Sequence, residues 1–186
     1  MPEGPRETEK ATKARMNVLT QPEIYIPHPE GKDAYIDVGG GRSPAKGFTN
    51  LDSRHGRGKW KREVQEGIPV EPGSAEVIRA FHLIEHIPKL DHIDFFNEVW
   101  RALRTGGEFI VQVPVMREAP NGAYVANWKV LADPTHVSLW CKESFFYFTG
   151  QITAGADYKI KPWQMVFYCE INDIALVILK KLPLPE

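Results

Sequence analysis

From about residue 33 the chain reads as short apolar runs bounded by Gly, Pro, Asn and Asp, alternating with helical stretches, the pattern of a parallel α/β sheet. Residues 34–38 predict a first strand that ends abruptly in Gly39-Gly40-Gly41. Residues 47–51 predict a second strand, closing in Asp52, and a weaker extended segment is expected near 60–64. Residues 75–81 read as a fourth strand whose apolarity is interrupted by Glu76 and Arg79. A helix over 90–104 brings Ile93, Phe96, Trp100 and Leu103 near one face, with Thr105-Gly106-Gly107 as its C-terminal stop. The run 108–115 is apolar almost throughout, as suits a strand covered on both faces. Two further runs, 163–170 and 174–182, flank Asn172-Asp173 and predict a C-terminal antiparallel hairpin. Only about eight residues separate Gly39 from the second strand. A parallel connection normally needs a dozen or more, so the first crossover helix is reduced or absent. The predicted architecture is a Rossmann-like, mostly parallel sheet in a three-layer sandwich.

Length and composition narrow the class. A chain of 186 residues supports one well-buried core. Residues 1–15, rich in Glu, Lys, Arg and Pro, cannot bury enough surface to order themselves and are expected to be a disordered arm. Residues 16–186 are expected to form a single domain. No apolar run approaches the roughly 18 residues of a membrane span. The formal net charge of −1 provides no global field for nucleic acid, so nucleic acid is not a favoured partner. Cys141 and Cys169 lack CxxC spacing, and no signal-peptide pattern opens the chain. Both are read as reduced thiols of a cytoplasmic protein.

The glycine run after the first strand calls for a tight turn that something can approach closely. Asp52, ending the neighbouring strand, is placed to accept hydrogen bonds from a ribose diol. Tyr35-Ile36-Asp37-Val38-Gly39-Gly40-Gly41, then Gly47-Phe48-Thr49-Asn50-Leu51-Asp52, then Phe81-His82-Leu83-Ile84-Glu85-His86-Ile87-Pro88 follow in that order. The block from Phe96 to Gly107 comes next. Together they resemble a short class I S-adenosylmethionine-dependent methyltransferase, similar to the type 11 group, over residues 34–115. Asp133-Pro134-Thr135-His136-Val137, followed by Lys142-Glu143-Ser144-Phe145, resembles a further segment of that group.

The resemblance implies S-adenosyl-L-methionine as cofactor and assigns roles. Asp37 would meet the methionine amino group, directly or through water, with Gly39, Gly40 and Gly41 passing beneath it. Asp52 would bind the ribose hydroxyls and Glu63 the adenine amino group. Phe81 and His82 would lie under the cofactor near the sulfonium. On the acceptor side, His136 with Asp133 nearby is the candidate general base for a hydroxyl or amine. A structural histidine that pins its loop is the competing reading. The aromatic residues between 116 and 148 would wall the acceptor site or pack in the core. A small molecule or sugar is the favoured acceptor, and the oligomeric state is left open.

Three rivals share these residues. His82-x-x-Glu85-His86 matches an inverted zincin motif, but no further ligand is obvious by spacing, so no metal is expected. A dinucleotide fingerprint would need glycine three positions after Gly41, where Pro44 stands. The third is a non-catalytic protein that keeps the fold as a cofactor-binding or structural partner. Methyl transfer needs mainly positioning, so the loss of a catalytic base would leave no mark in the sequence.

Overall fold

The computed structural model describes residues 34–54, 60–152 and 157–184. The expected disordered arm, 1–15, lies outside them. A six-stranded sheet organises the chain, from β1 (Tyr35–Val38), β2 (Thr49–Leu51), β3 (Ala75–Phe81), β4 (Leu103–Pro114), β7 (Trp163–Ile171) and β8 (Ile174–Lys181). Its order is β2-β1-β3-β4-β8-β7. The first four run parallel, and β8 pairs antiparallel with both β4 and β7. The mixed, mostly parallel sheet expected from the sequence is thus present. The C-terminal hairpin does more than cap an edge, because β8 enters the sheet between β4 and β7. Asn172 and Asp173 both take positive φ, 51° and 63°, as a two-residue hairpin turn requires.

Helix α1 (His92–Ala102) buries His92, Phe95, Phe96, Val99 and Ala102, an i, i+3, i+4, i+7 stripe. The predicted face was rotated: Ile93 and Trp100 are only partly buried and flank this stripe. Phe96 stacks on Phe148 at 3.9 Å between centroids and meets Phe109 of β4 edge-on at 5.4 Å. The helix also ends earlier than expected. Leu103 is already extended and begins β4, so Thr105-Gly106-Gly107 lies inside the strand. There the β3/β4 register shifts between Ala75 and Val77, and a Cβ on Gly107 would come within 3.0 Å of the Glu76 carbonyl oxygen. Close approach of backbone carbonyls, that of Glu76 and, at 2.9 Å, that of Arg104 in the same strand, and not helix termination, accounts for that glycine.

Two more expectations change. The extended segment at 60–64 shrinks to one parallel bridge, Leu51 to Trp60. Beyond it Glu63 and Glu66 cap each other around a 3-10 turn, Val64–Glu66. That reciprocal capping satisfies backbone groups locally and competes with strand pairing. Of the three layers predicted, the described residues show the sheet and the layer built by α1 and the segment around Trp140, Phe145 and Phe148. The opposite face carries Ile110, Phe167, Leu176 and Ile178, with Val77 and Phe81 against them. The described chain also carries a small ribbon, β5 (Arg117–Glu118) with β6 (Tyr124–Val125), the single turn α2 (Trp128–Leu131), and further 3-10 turns at Ile84–His86, Lys89–Asp91 and Lys142–Tyr147. Between β1 and β2 the described chain is turns alone, as the short spacing requires.

Glu98 and Arg101 fix the approach to α1. Glu98 Oε1 accepts from the Ile68 amide at 2.8 Å, while Arg101 donates to the Ile68 and Val70 carbonyls at 2.8 and 2.9 Å. Burial opposes ionisation of Glu98, but the hydrogen bonds from Arg101 and Ile68 prevail and hold it below the ordinary glutamate range. Cys141 and Cys169 are both free thiols. Among the described residues no helix is long and apolar enough to cross a membrane.

Candidate cofactor and acceptor site

The parallel register sets Asp37 of β1 beside Arg79 of β3. Asp37 is fully buried. Its Oδ1 accepts from Arg79 Nε at 2.8 Å and its Oδ2 from the Ala45 amide at 2.7 Å. Burial lifts its carboxyl above the ordinary aspartate range against the opposing pull of Arg79. Arg79, read from the sequence as an interruption of strand apolarity, is the partner that makes a buried acid tolerable. Its guanidinium also lies 4.1 Å over the Phe81 ring. Asp37 therefore sits beneath the glycine turn and anchors it.

The turn is held by three bonds to the consecutive residues Asn50, Leu51 and Asp52. The Gly39 amide donates to the Leu51 carbonyl at 2.7 Å, Gly40 N to Asn50 Oδ1 at 3.1 Å, and Gly41 N to Asp52 Oδ2 at 2.9 Å. Gly39 and Gly41 take φ of 72° and 59°, which favour glycine. Gly40 is constrained differently: a Cβ there would lie 2.5 Å from Asn50 Oδ1 and 2.6 Å from Asp37 Oδ2. Asp52 also accepts from the Arg54 amide at 2.9 Å through Oδ1.

Gly39, Gly41, Asp52, Glu63, His82 and His86 line a cleft of about 240 Å³ at the carboxyl ends of β1, β2 and β3, where open α/β sheets bind ligands. Val64, Gln65 and Ile87 are shared with an adjoining acidic hollow of about 560 Å³ that also includes Asp91, Asp94 and Glu98. Glu63 is on the wall, at the start of the capped turn. Phe81 is not: strand alternation points it to the opposite face, with Phe167 and Ile178. Leu83 lines the cleft in its stead. His82 reaches the cleft because it leaves the strand in the left-handed region, φ 51°, with its amide on the Gln112 carbonyl at 2.9 Å.

His82 also lines a second, more open cavity of about 560 Å³, with Trp128, Lys129, Asp133, His136 and Ile174 among its walls. The structure thus brings His136 and Asp133 beside the cleft from far along the chain. His136 is nearly buried. Its Nδ1 lies 3.1 Å from the Val130 carbonyl oxygen, which can only accept, so Nδ1 carries a proton. Nε2 is 3.9 Å from Asp133 Oδ2 and 4.0 Å from Glu85 Oε1. Asp133 Oδ1 takes the hydroxyl and amide of Thr135 at 2.6 and 2.8 Å, and these bonds hold its carboxyl below the ordinary aspartate range. Sequence reasoning missed Asn50, Leu83 and Arg79 as site residues. Asn50 could have been found from its place two residues before Asp52, whereas Arg79 and Leu83 depend on register and turn geometry.

No protein-family model matches the chain. Among curated proteins it is similar to the protein-glutamine deamidase Cif of Burkholderia pseudomallei, 23% identical over 95 residues. That match covers 51% of this chain and only 29% of the deamidase. Solved structures match more broadly. Phosphoethanolamine N-methyltransferase 1 of Haemonchus contortus, solved with phosphoethanolamine and S-adenosylhomocysteine, aligns with a TM-score of 0.58 at 14% identity. The alignment covers 91% of this chain and 42% of that one. An S-adenosylmethionine-dependent methyltransferase of Methanosarcina mazei aligns at 0.52 and 13% identity, covering 83% and 94%. One from Mesorhizobium loti aligns at 0.50 and 11%, covering 88% and 100%. The chain has the class I S-adenosylmethionine-dependent methyltransferase fold.

Proposed function

We propose that the protein transfers a methyl group from S-adenosyl-L-methionine to an acceptor held in the second cavity. The observation that carries this reading is the glycine turn, clamped by Asn50 and Asp52, opening on a cleft that shares His82 with a separate cavity. Such an arrangement gives cofactor and acceptor adjoining places, and methyl transfer needs little more than alignment and exclusion of water. Asp52 binds the ribose hydroxyls, and Gly39 and Gly41 let the methionine portion approach the backbone. Asp37 acts through the turn that it holds in place. Glu63 lies toward the adenine, and His82 and Leu83 lie near the sulfonium. In the reaction the sulfur–methyl bond breaks as the bond to the acceptor oxygen or nitrogen forms. His136 Nε2 takes the acceptor proton, and Asp133 steadies the resulting imidazolium. A small molecule or sugar suits the partly open, mixed polar and apolar second cavity.

Calorimetric titration with S-adenosylmethionine and S-adenosylhomocysteine tests this reading. Both are expected to bind, and Asp52→Ala is expected to weaken them by about 1–3 kcal/mol, the cost of leaving hydrogen-bonding groups unpaired. That corresponds to roughly 5- to 150-fold in affinity. A folded wild-type protein that binds neither ligand overturns the proposal.

A further inference from the structure

We infer that Glu85, His86 and His136 form a binding site for one divalent transition-metal cation of the zinc class. Their ligand atoms lie within 4.8 Å of one another. The sequence spacing supplies only the first two; the fold delivers the third from the loop after α2. Two imidazoles and one carboxylate make a ligand set typical of zinc sites that keep a position open for another ligand.

Glu85 points most directly to a missing ligand. It is 1% exposed, and neither carboxyl oxygen accepts a hydrogen bond. His82 Nδ1 is 3.3 Å and His136 Nε2 4.0 Å from Oε1, close enough for charge attraction but without a hydrogen bond to either oxygen. A buried carboxyl left in that condition is costly unless something coordinates it. The two imidazoles are prepared for the same centre. His86 Nδ1 is 3.1 Å from the Thr135 carbonyl oxygen and 3.0 Å from its hydroxyl, and His136 Nδ1 is held by the Val130 carbonyl oxygen. With both Nδ1 atoms engaged, each ring offers Nε2, the outer-shell arrangement common to metal-bound histidines.

The scaffold fixes the two segments together. The Val137 and Ser138 amides donate to the Glu85 carbonyl at 2.9 and 3.1 Å, and the Ser138 hydroxyl donates to the Ile84 carbonyl at 3.1 Å. Ligand bonds of about 2.0–2.2 Å place ligand atoms roughly 3.5 Å apart, so a contraction of about 1 Å completes the set. His86 borders the cleft and His136 the second cavity. On the methyltransferase reading, the site lies between the places of cofactor and acceptor. In the metal-loaded protein the His136 Nε2 lone pair goes to the ion, and His136 is then a ligand and not a base.

Full-length, tag-free protein, stripped with a chelator and titrated calorimetrically with zinc chloride without S-adenosylmethionine, tests the inference. One zinc per chain and a raised thermal midpoint are expected. Glu85→Gln and His136→Ala are each expected to lose at least tenfold in zinc affinity, whereas Cys141→Ser/Cys169→Ser retains it. Metal-free Glu85→Gln, shown folded by circular dichroism, should be no less stable than wild type; should His136→Ala not fold, His86→Gln replaces it. No zinc binding by wild type, or affinity unchanged in folded Glu85→Gln, overturns the site. Zinc binding without S-adenosylmethionine binding overturns the cofactor reading alone, and the reverse result overturns the metal site alone.

Discussion

Alanine at each of the three consecutive turn glycines separates two kinds of constraint. At Gly40 the backbone has no positive φ, but the new methyl would lie 2.5 Å from Asn50 Oδ1, 2.6 Å from Asp37 Oδ2 and 2.9 Å from Asp37 Cγ. Neither neighbour can yield cheaply. Both are buried; Asp37 is tied to Arg79 and Ala45, and Asn50 to the Gly40 amide itself. Overpacking of about 1–3 kcal/mol adds to loss of a charge-assisted hydrogen bond, about 1.5–3 kcal/mol. Gly40→Ala should therefore cost roughly 3–5 kcal/mol, a fall in thermal midpoint on the order of 10 °C. At Gly41 nothing lies closer than the Gly39 carbonyl at 4.0 Å, so only left-handed strain of about 1–2 kcal/mol applies. Gly39→Ala carries similar strain plus a 2.7 Å contact with the end of the flexible Leu83 side chain, and should fall between. The assay is thermal and urea unfolding of the three single variants beside wild type. Equal destabilisation by Gly40→Ala and Gly41→Ala would refute the argument that the Asp37–Asn50 clamp, rather than backbone conformation, makes the middle glycine indispensable.

Three other perturbations probe the frame around the site. Arg79→Met leaves Asp37 buried without its ion partner and is expected to cost about 3 kcal/mol, with Asp37→Asn/Arg79→Met recovering part of that loss; a double-mutant cycle in urea measures the coupling. Glu98 has a folded pKa below its unfolded one, so its contribution is complete above the ordinary glutamate range and is lost as pH falls through the lowered value. Glu98→Gln should accordingly flatten the acid limb of the stability–pH curve, and an unchanged limb would exclude this carboxyl as its source. Asp173→Gly should relieve left-handed strain at the second residue of the β7–β8 turn and stabilise the protein by about 0.5–1 kcal/mol, measured as a higher urea midpoint.

Much of the frame could be read from local pattern, because strand alternation and helical spacing report which side of each element is buried. The strands of residues 35–38, 75–81 and 163–181 were predicted to within about one or two residues, the Asn172-Asp173 turn was placed, and the short β1–β2 link pointed to a reduced or absent crossover helix. The glycine turn and Asp52 were legible for the same reason, since a backbone without Cβ atoms and an acid at a strand end are local facts. The tertiary structure decided which residues meet. Parallel register put Arg79 beside Asp37, and the pleat turned Phe81 away while left-handed backbone at His82 kept its ring at the cleft. The reciprocal capping of Glu63 and Glu66 ended a strand that the apolar pattern only weakly encouraged. Sheet order and loop docking carried His136 to Glu85, a meeting that no spacing in the sequence encodes. Local pattern determines how each segment is buried; non-local register and docking determine the chemistry that burial assembles.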